Sequence, residues 1–89
     1  MSDNERIGAI QKLENAHRHS FRNRVEINKS LKCGCFFCTR IYDAAEVEDF
    51  IDDDETALCP YCGIDSVIGD ASGIELTPSL LNKLKQVYF

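Results

Sequence analysis

The sequence predicts a small α+β domain that a metal site holds together, and three observations lead to that prediction. Two Cys-x-x-Cys pairs, at 35–38 and 59–62, are separated by twenty residues. Apolar residues recur every three or four positions before the first pair and again near the C-terminus, as in amphipathic helices. Short β-rich runs surround the pairs. We therefore expect short antiparallel strands, an N-terminal helix, a helix inserted between the pairs and a C-terminal helix.

The N-terminal segment, residues 1–30, is predicted to be helical. Ser2 and Glu5 have the spacing of a capping box, which begins a helix. The stretch "HSFRN" around Ser20 can end one helix and cap another, so the segment is either one helix or two. Its predicted apolar face consists of Ile7, Ile10, Leu13, His17, Phe21 and Val25.

The segment 31–76 is predicted to hold the cysteines and the strands. A strand through Ile41 and Tyr42 follows the first pair, and Asp43 and Glu46 form a second capping box. The inserted helix would then place four apolar residues on one face: Ala44, Val47, Phe50 and Ile51. The acidic run 52–55 should end that helix and turn into solvent, because carboxylates are unfavourable at a helix C-terminus.

The remaining elements complete a single domain. Residues 56–58 are predicted to lead as a strand into the second pair. The runs 64–68 and 74–76 resemble two strands joined by the turn "GDASG". The last segment, 77–89, should be a helix, with Thr77 as its cap and Pro78 at its first position. Its apolar face would include Leu80 or Leu81, together with Leu84 and Tyr88.

The length and the composition favour a metal over disulfides. A chain of 89 residues buries only about 60–65% of the surface that it exposes when unfolded. Domains of this size often need a disulfide or a bound metal for additional stability. The start "MSDNERIGAI" lacks the pattern of a signal peptide, and no stretch approaches the roughly 20 apolar residues of a spanning helix. We expect a cytoplasmic protein, and no membrane partner. Thiols stay reduced in the cytoplasm, where an odd number of cysteines with two Cys-x-x-Cys pairs indicates metal binding.

The predicted metal ligands are the two matched pairs: Cys35, Cys38, Cys59 and Cys62. Thiolates bind zinc in a tetrahedron at about 2.3 Å, and structural sites usually take four ligands. In "CPYCG", the proline pre-sets the turn and Gly63 accepts the positive φ on which such a turn often ends. Thr39 stands at the corresponding position of the first loop, so that loop should be strained or turn differently.

The chain has a fifth cysteine, Cys33. The matched two-residue spacers of the two pairs predict that Cys33 is not a metal ligand. Its spacing to Cys35 is too tight for the knuckle turn, and four residues separate it from Cys38. It would then pack behind the site or lie beside a ligand. A redox-sensing role for Cys33 is a further hypothesis, based on the odd count alone.

The cysteine motifs carry a resemblance to known families. The pattern "CxxC…CPxCG" resembles zinc ribbons and, more distantly, rubredoxin. The stretch "CFFCTRIY" is similar to the first knuckle of rubredoxin, except that Thr39 stands in place of glycine. The run "KCGCFFCTRIYD…TALCPYCGIDSVIGDASG" is similar to a family of short bacterial cytoplasmic proteins. The resemblance covers about residues 17–89. It implies a zinc-ribbon-like, metal-binding core and no particular activity.

The charge distribution bears on the partner. Residues 1–42 hold eight Lys or Arg against four Asp or Glu, whereas residues 43–76 hold eleven Asp or Glu and no Lys or Arg. The net charge of −5 therefore conceals two halves of opposite sign. The basic set is Lys12, Arg18, Arg22, Arg24, Lys29 and Lys32. Aromatic residues are scarce among these charges, so a protein partner is favoured over nucleic acid. A homodimer through the N-terminal helix is a further option.

The function predicted is that of a non-catalytic module with a structural Zn²⁺. Four thiolates close a tetrahedral site, and catalytic zinc needs an open position. The alternative is rubredoxin-like electron transfer with iron on the same thiolates, although the chain has no Trp for the aromatic core of rubredoxins. His17 and His19 are two residues apart and point to opposite sides of a helix, so they do not share a metal. One sharper alternative is that His17 replaces a cysteine in a Cys₃His site.

Overall fold

A computed structural model describes the backbone of residues 3–89 and the side chains of residues 10–89. Over this part of the chain the architecture is α+β, as predicted. The helices are α1 (Asp3–Arg18), α2 (Arg24–Lys29) and α3 (Pro78–Tyr88). The strands are β1 (Lys32–Cys35), β2 (Ile41–Asp43), β3 (Phe50–Ile51), β4 (Thr56–Ala57) and β5 (Val67–Gly69). Single turns of 3₁₀ helix cover Ala44–Glu46 and Asp70–Ser72.

Strand β1 is the centre of the larger sheet. It pairs antiparallel with β2 on one side and with β5 on the other, so that Cys33 lies opposite both Tyr42 and Gly69. The smaller sheet is the β3–β4 hairpin, in which Phe50 pairs with Ala57. The sequence predicted strands after the first cysteine pair and none before it, so β1, which runs into that pair, was not predicted.

The two faces of the larger sheet belong to two different cores. Because side chains alternate along a strand, Cys33 and Cys35 lie on one face with Val67, and Ile68 lies on the other. The first face joins the cysteine core: Ile27, Cys33, Cys35, Tyr42, Ala44, Ala57, Cys59 and Val67. The second face joins the helical core: Ala16, Phe36, Ile68, Leu81 and Leu84.

The close approach of α3 to the sheet depends on Gly34. A Cβ atom at this position would lie 3.1 Å from a terminal methyl of Leu81. Helix α3 begins as predicted, with the Thr77 hydroxyl accepting a hydrogen bond from the Leu80 N–H at 3.1 Å. Leu81 and Leu84 are fully buried, so they supply the apolar face of this helix.

The N-terminal segment consists of two helices, with a break between Arg18 and Arg24. Asn23 holds the break in place. Its buried amide donates to the carbonyls of His19 at 2.9 Å and Val67 at 2.7 Å, and its oxygen accepts from the Ala57 N–H at 3.0 Å. One side chain therefore ties the helices to both sheets.

The predicted apolar face of the N-terminal segment is only partly correct. Ile10, Phe21 and Val25 are 49%, 59% and 63% exposed, whereas Ala16 is buried. The break after α1 turns Phe21 and Val25 away from the predicted face, whereas Ile10 lies within α1, on a side of that helix that does not contact the helical core. The capping box predicted for Ser2 and Glu5 lies outside the described residues, because Ser2 is not among them. The side chain of Ile7 is also outside the described part of the structure.

The predicted inserted helix is a single 3₁₀ turn, Ala44–Glu46. The capping box of Asp43 and Glu46 is present, but the chain then becomes extended and forms strand β3. The acidic run is the exposed turn of the β3–β4 hairpin. Its residues Asp52, Asp53 and Asp54 have φ values of 55°, 60° and 64°. Aspartate tolerates this left-handed region better than most residues, which suits the run to a turn.

The predicted strand 74–76 is wrong, because this segment forms no strand pairing with any described residue. The free side of β5 is occupied by the chain around α2. Asn23 donates to the Val67 carbonyl, which a neighbouring strand would otherwise engage. Ser30 packs over the sheet at Gly69, where an added Cβ atom would lie only 2.2 Å from its hydroxyl oxygen. A returning strand has no room there.

Candidate metal centre

The structure brings together the sulfurs of the four cysteines predicted as ligands. Cys35 is the last residue of β1, Cys38 lies in the turn that follows, and the second pair lies in the equivalent turn after β4. The four sulfur atoms all lie within 4.8 Å of one another. The Sγ atoms of Cys35 and Cys62 are 3.6 Å apart, and those of Cys38 and Cys59 are 3.7 Å apart. Both of these contacts join one knuckle to the other.

The spacing of the sulfurs fits a tetrahedral metal ion. Ligands at about 2.3 Å from a central ion in a tetrahedron lie about 3.8 Å from one another, close to the 3.6 and 3.7 Å between the sulfurs of these two contacts. Four sulfurs in a tetrahedron are typical of zinc or of iron. The donor set is therefore suited to a structural metal, and it is the same for either ion.

The two knuckles have matching backbone geometry. The N–H of Phe37 points at Cys35 Sγ and the N–H of Tyr61 points at Cys59 Sγ, each at 3.4 Å. Each knuckle is also closed by a backbone hydrogen bond of 3.0 Å from its first cysteine, to the carbonyl of Arg40 in one case and of Ile64 in the other. N–H groups aimed at a sulfur stabilise its negative charge, so both loops are arranged for thiolates.

Thr39 adopts the conformation that glycine adopts in the second knuckle. Its φ is 62°, and that of Gly63 is 76°. A β-branched residue is rare in this region, so the first loop has the expected turn and stores backbone strain. The Thr39 hydroxyl donates to the Cys38 carbonyl at 2.7 Å, which partly offsets that strain.

Two of the four sulfurs are buried and each has a hydroxyl beside it. Cys35 Sγ lies 3.0 Å from the buried Ser66 hydroxyl. Cys59 lies beside the hydroxyl of Tyr42, which is the only buried side-chain polar atom without a good hydrogen-bond partner among the described residues. A thiolate at Cys59 would give this hydroxyl a strong acceptor, so the orphaned group itself fits a deprotonated, metal-binding cysteine. Neither hydroxyl was predicted from the sequence, because Tyr42 on β2 and Ser66 just before β5 are distant in the chain from the sulfurs that they approach.

The pKa values of the cysteines follow from these surroundings. Burial raises the pKa of Cys59, but the hydroxyl of Tyr42 and the N–H groups of Cys62 and Tyr61 outweigh it and lower that pKa to about 7. Burial raises the pKa of Cys62 to about 12, with the N–H of Ile64 acting in the opposite direction. Burial likewise raises the pKa of Cys38. Several closely spaced thiols resist deprotonation unless a cation compensates their charge.

Cys33 lies outside the group of four sulfurs. It is two residues before Cys35 on β1, so its side chain is on the same face of the sheet but one strand repeat away. It is fully buried, and burial together with the charge of Asp70 raises the pKa of its thiol to about 12. Reactive cysteines are accessible and have lowered pKa values, so both observations oppose a redox-sensing role.

The histidines are also outside the sulfur cluster. His17 stacks on Tyr88, with ring centroids 3.7 Å apart and an angle of 13° between the planes. The Nδ1 atom of His19 lies 2.8 Å from a carboxylate oxygen of Glu26, which links α1 to α2. Within the described side chains, the metal-ligating group contains only the four cysteines, so the Cys₃His alternative is not supported.

Comparisons with protein-family models, with curated proteins and with solved structures find no match for this chain. Only the cysteine motifs therefore support the resemblance to zinc ribbons, to rubredoxin and to short bacterial cytoplasmic proteins. In the described part of the chain, none of the helices has both the length and the apolar character needed to cross a membrane.

Proposed function

We propose that this protein is a non-catalytic module in which Zn²⁺, held by Cys35, Cys38, Cys59 and Cys62, supports a surface for a macromolecular partner. The observation that carries the proposal is the clustering of these four sulfurs within 4.8 Å. When bound, zinc would join the two knuckles and neutralise part of their charge. Four thiolates leave no coordination position for a substrate, which favours a structural role over a catalytic one.

A protein partner is favoured over nucleic acid because the chain's own groups engage two of the six residues of its basic set, Arg24 and Lys32. Arg24 donates to the Asp54 carbonyl at 2.9 Å, and its guanidinium lies 4.7 Å from the Phe50 ring centroid. Lys32 pairs with Asp43. These contacts reduce the positive surface available to phosphates.

Exposed apolar side chains offer a contact surface for a protein partner that does not depend on the basic set. Leu31 is 81% exposed, and Phe21 and Val25 are also largely open to solvent. Ile10 on α1 is exposed as well, which is the feature that supports a homodimer through the N-terminal helix. Such residues suit contacts with a protein better than contacts with a phosphate backbone.

Metal analysis of the purified protein tests the proposal. We expect one zinc per chain and no visible absorption. Capture of partners with the zinc-loaded chain, with and without nuclease treatment, separates protein from nucleic-acid partners. A protein that takes up neither zinc nor iron at one per chain would contradict the metal module, and loss of all captured material after nuclease would contradict a protein partner.

Rubredoxin-like electron transfer with iron is the second candidate, and one observation favours it. Cys38 and Cys62 are only partly buried, in contrast to Cys35 and Cys59. One edge of the sulfur cluster is therefore close to solvent, where a redox partner can approach. Iron-loaded protein would be coloured by sulfur-to-iron charge transfer. A red protein with a reversible potential would select this candidate, and a colourless protein with one zinc would reject it.

A further inference from the structure

An aromatic cleft lies between the end of α1, the first knuckle and the end of α3. Its volume is about 270 Å³. Its lining includes His17, Phe21, Phe36, Asp65, Tyr88 and Phe89. Sites for drug-sized ligands have volumes of about 300–1,000 Å³, so this cleft suits a small head group.

The rings around the cleft comprise the stacked pair His17 and Tyr88 and three inclined pairs made by Phe36. Phe36, which is buried, makes angles of 51° with His17, 56° with Tyr88 and 46° with Phe89. The corresponding centroid distances are 5.8, 6.3 and 5.8 Å. Phe21 stands at the exposed rim. The opening is therefore lined by rings in several orientations, and the faces of such rings carry partial negative charge.

The formal charge at the cleft is negative. Asp65 is exposed at its edge and makes no ion pair with a described residue. None of the side chains lining the cleft in the described structure is a lysine or an arginine. The guanidinium of Arg22 lies 5.5 Å from the ring centroid of Phe21 at the rim, so the less exposed rings and Asp65, more than Phe21, define the cation site.

We propose that this cleft binds a small organic cation of the quaternary or methylated ammonium class. Aromatic faces attract such a cation through their quadrupole, and its methyl groups lose little solvation when the rings enclose them. Asp65 supplies the matching charge at the edge. The head group can belong to a free solute or to a methylated lysine side chain of a protein, because the recognising chemistry is the same.

The cleft also borders the metal centre. Ser66 lines it and lies 3.0 Å from Cys35 Sγ, and Phe36 follows that cysteine directly. A cation in the cleft would therefore alter the surroundings of one sulfur. The cation site uses none of the four sulfurs, but Phe36, Asp65 and Ser66 lie in the segment that the metal is expected to hold folded, so this inference rests on the proposed metal site and is tested on protein whose metal content has been measured.

Amide NMR titration of the full-length, metal-loaded protein tests the proposal, with choline as the probe and its uncharged carbon isostere, dimethylbutanol, as the control. We expect saturable shifts at Phe36, Asp65 and Ser66, and binding of the isostere at least about fivefold weaker, as expected for a cation–π contact. Asp65→Asn should weaken choline binding about three- to fivefold, as for an exposed charge pair. Phe21→Leu should weaken it while retaining the apolar rim.

The matched control is Glu48→Gln, which removes an exposed carboxylate elsewhere and should leave choline binding unchanged. Equal binding of choline and its isostere, shifts away from the cleft, or an unchanged affinity in Asp65→Asn would overturn the proposal, as would the absence of saturable binding. A second titration with trimethyllysine amide separates the two sources. Tighter binding than choline assigns the cleft to a methylated protein, and weaker binding assigns it to a free solute.

Discussion

The hydroxyl of Ser66 lies 3.0 Å from the sulfur of Cys35, and both groups are buried. The two residues are 31 positions apart in the chain, and the β1–β5 pairing brings them together. A serine hydroxyl that donates to a thiolate lowers the free energy of the charged form and holds the ligand in one orientation. The contact therefore links the sheet to the metal site.

Ser66→Ala should weaken metal binding. The change removes a hydrogen bond to a charged ligand, and loss of such outer partners typically costs about 10–100-fold in metal affinity. Competition with a chromogenic chelator measures the affinity. Ser72→Ala is the control, because the Ser72 hydroxyl donates to the Gly69 carbonyl at 2.6 Å, outside the sulfur cluster. Equal affinities for the two variants would show that the Ser66 hydroxyl does not support the ligand.

Tyr42→Phe should have opposite effects on the metal-loaded and metal-free protein. The Tyr42 hydroxyl is buried beside Cys59 and has no good protein acceptor. In the metal-free protein at pH 6, below the Cys59 pKa of about 7, Cys59 is mostly a neutral thiol, so removal of the hydroxyl relieves a group without a good acceptor and we expect unchanged stability or a gain of up to about 1 kcal/mol. In the loaded protein it removes a donor to a thiolate, so metal affinity should fall. Chemical denaturation and chelator competition measure the two quantities, and a drop in metal-free stability would contradict the account.

Local chemistry explains what could be predicted from the sequence. The two matched spacers led to the four cysteines whose sulfurs cluster, because a Cys-x-x-Cys turn is determined by a few adjacent residues. Thr77 and Pro78 likewise mark the start of α3 through a local cap. Signals of this kind need no knowledge of distant neighbours.

The missed features depend on distant neighbours. Asn23 bonds to residues 34 and 44 positions away, and no local pattern marks it as a buried linker. The predicted helix over 44–51 gave way to a hairpin because Phe50 and Ile51 pair with Ala57 and Thr56. Tertiary pairing outweighed the helical periodicity there.

Thr39→Gly should stabilise the protein. Thr39 has a φ of 62°, which costs a β-branched residue of order 1–3 kcal/mol and glycine almost nothing. Two effects offset part of this gain: the Thr39 hydroxyl loses its hydrogen bond, and glycine has more conformational freedom in the unfolded chain. We therefore expect the free energy of unfolding to rise by about 0.5–1 kcal/mol. Denaturant unfolding of the metal-loaded protein measures it. Gly63→Ala is the converse test in the second knuckle and should destabilise the protein, because alanine is unfavourable at a φ of 76°. Nothing lies within 4 Å of the added Cβ, so a steric clash would not contribute to the effect. Changes of the same sign in both variants would contradict this reading.

Removal of the metal should unfold at least residues 33–76. The cysteine core is built largely from the ligands and their neighbours, and the two knuckles approach each other through their sulfurs. Zinc binding contributes roughly 10–16 kcal/mol in small zinc domains, and whole domains are stable by only about 5–15 kcal/mol. Near-ultraviolet circular dichroism before and after chelation measures the loss. The helical core shares Phe36 and Ile68 with the cysteine segment, so part of the α-helical signal should fall as well. An unchanged spectrum and melting temperature would refute a structural role for the metal.

Single Cys→Ser variants should separate Cys33 from the other four cysteines. Serine is a poor replacement for a thiolate ligand, so substitution of Cys35, Cys38, Cys59 or Cys62 should abolish or greatly weaken metal binding. Cys33→Ser should retain one metal per chain, because its sulfur is not in the cluster. It should lose about 1–2 kcal/mol of stability, since the residue is fully buried and a hydroxyl there costs desolvation.

Elemental analysis and thermal unfolding of the five variants check this assignment, and Cys33→Ala is the matched control for the polarity of the new hydroxyl. Alanine leaves a small cavity but no unsatisfied group, so both Cys33 variants should bind metal while differing in stability. Loss of metal from both variants, with retention by Cys35→Ser, would place Cys33 in the coordination sphere. The knuckle would then use the four-residue spacer from Cys33 to Cys38, and the N–H of Phe37 that points at Cys35 Sγ would have no part in stabilising a ligand.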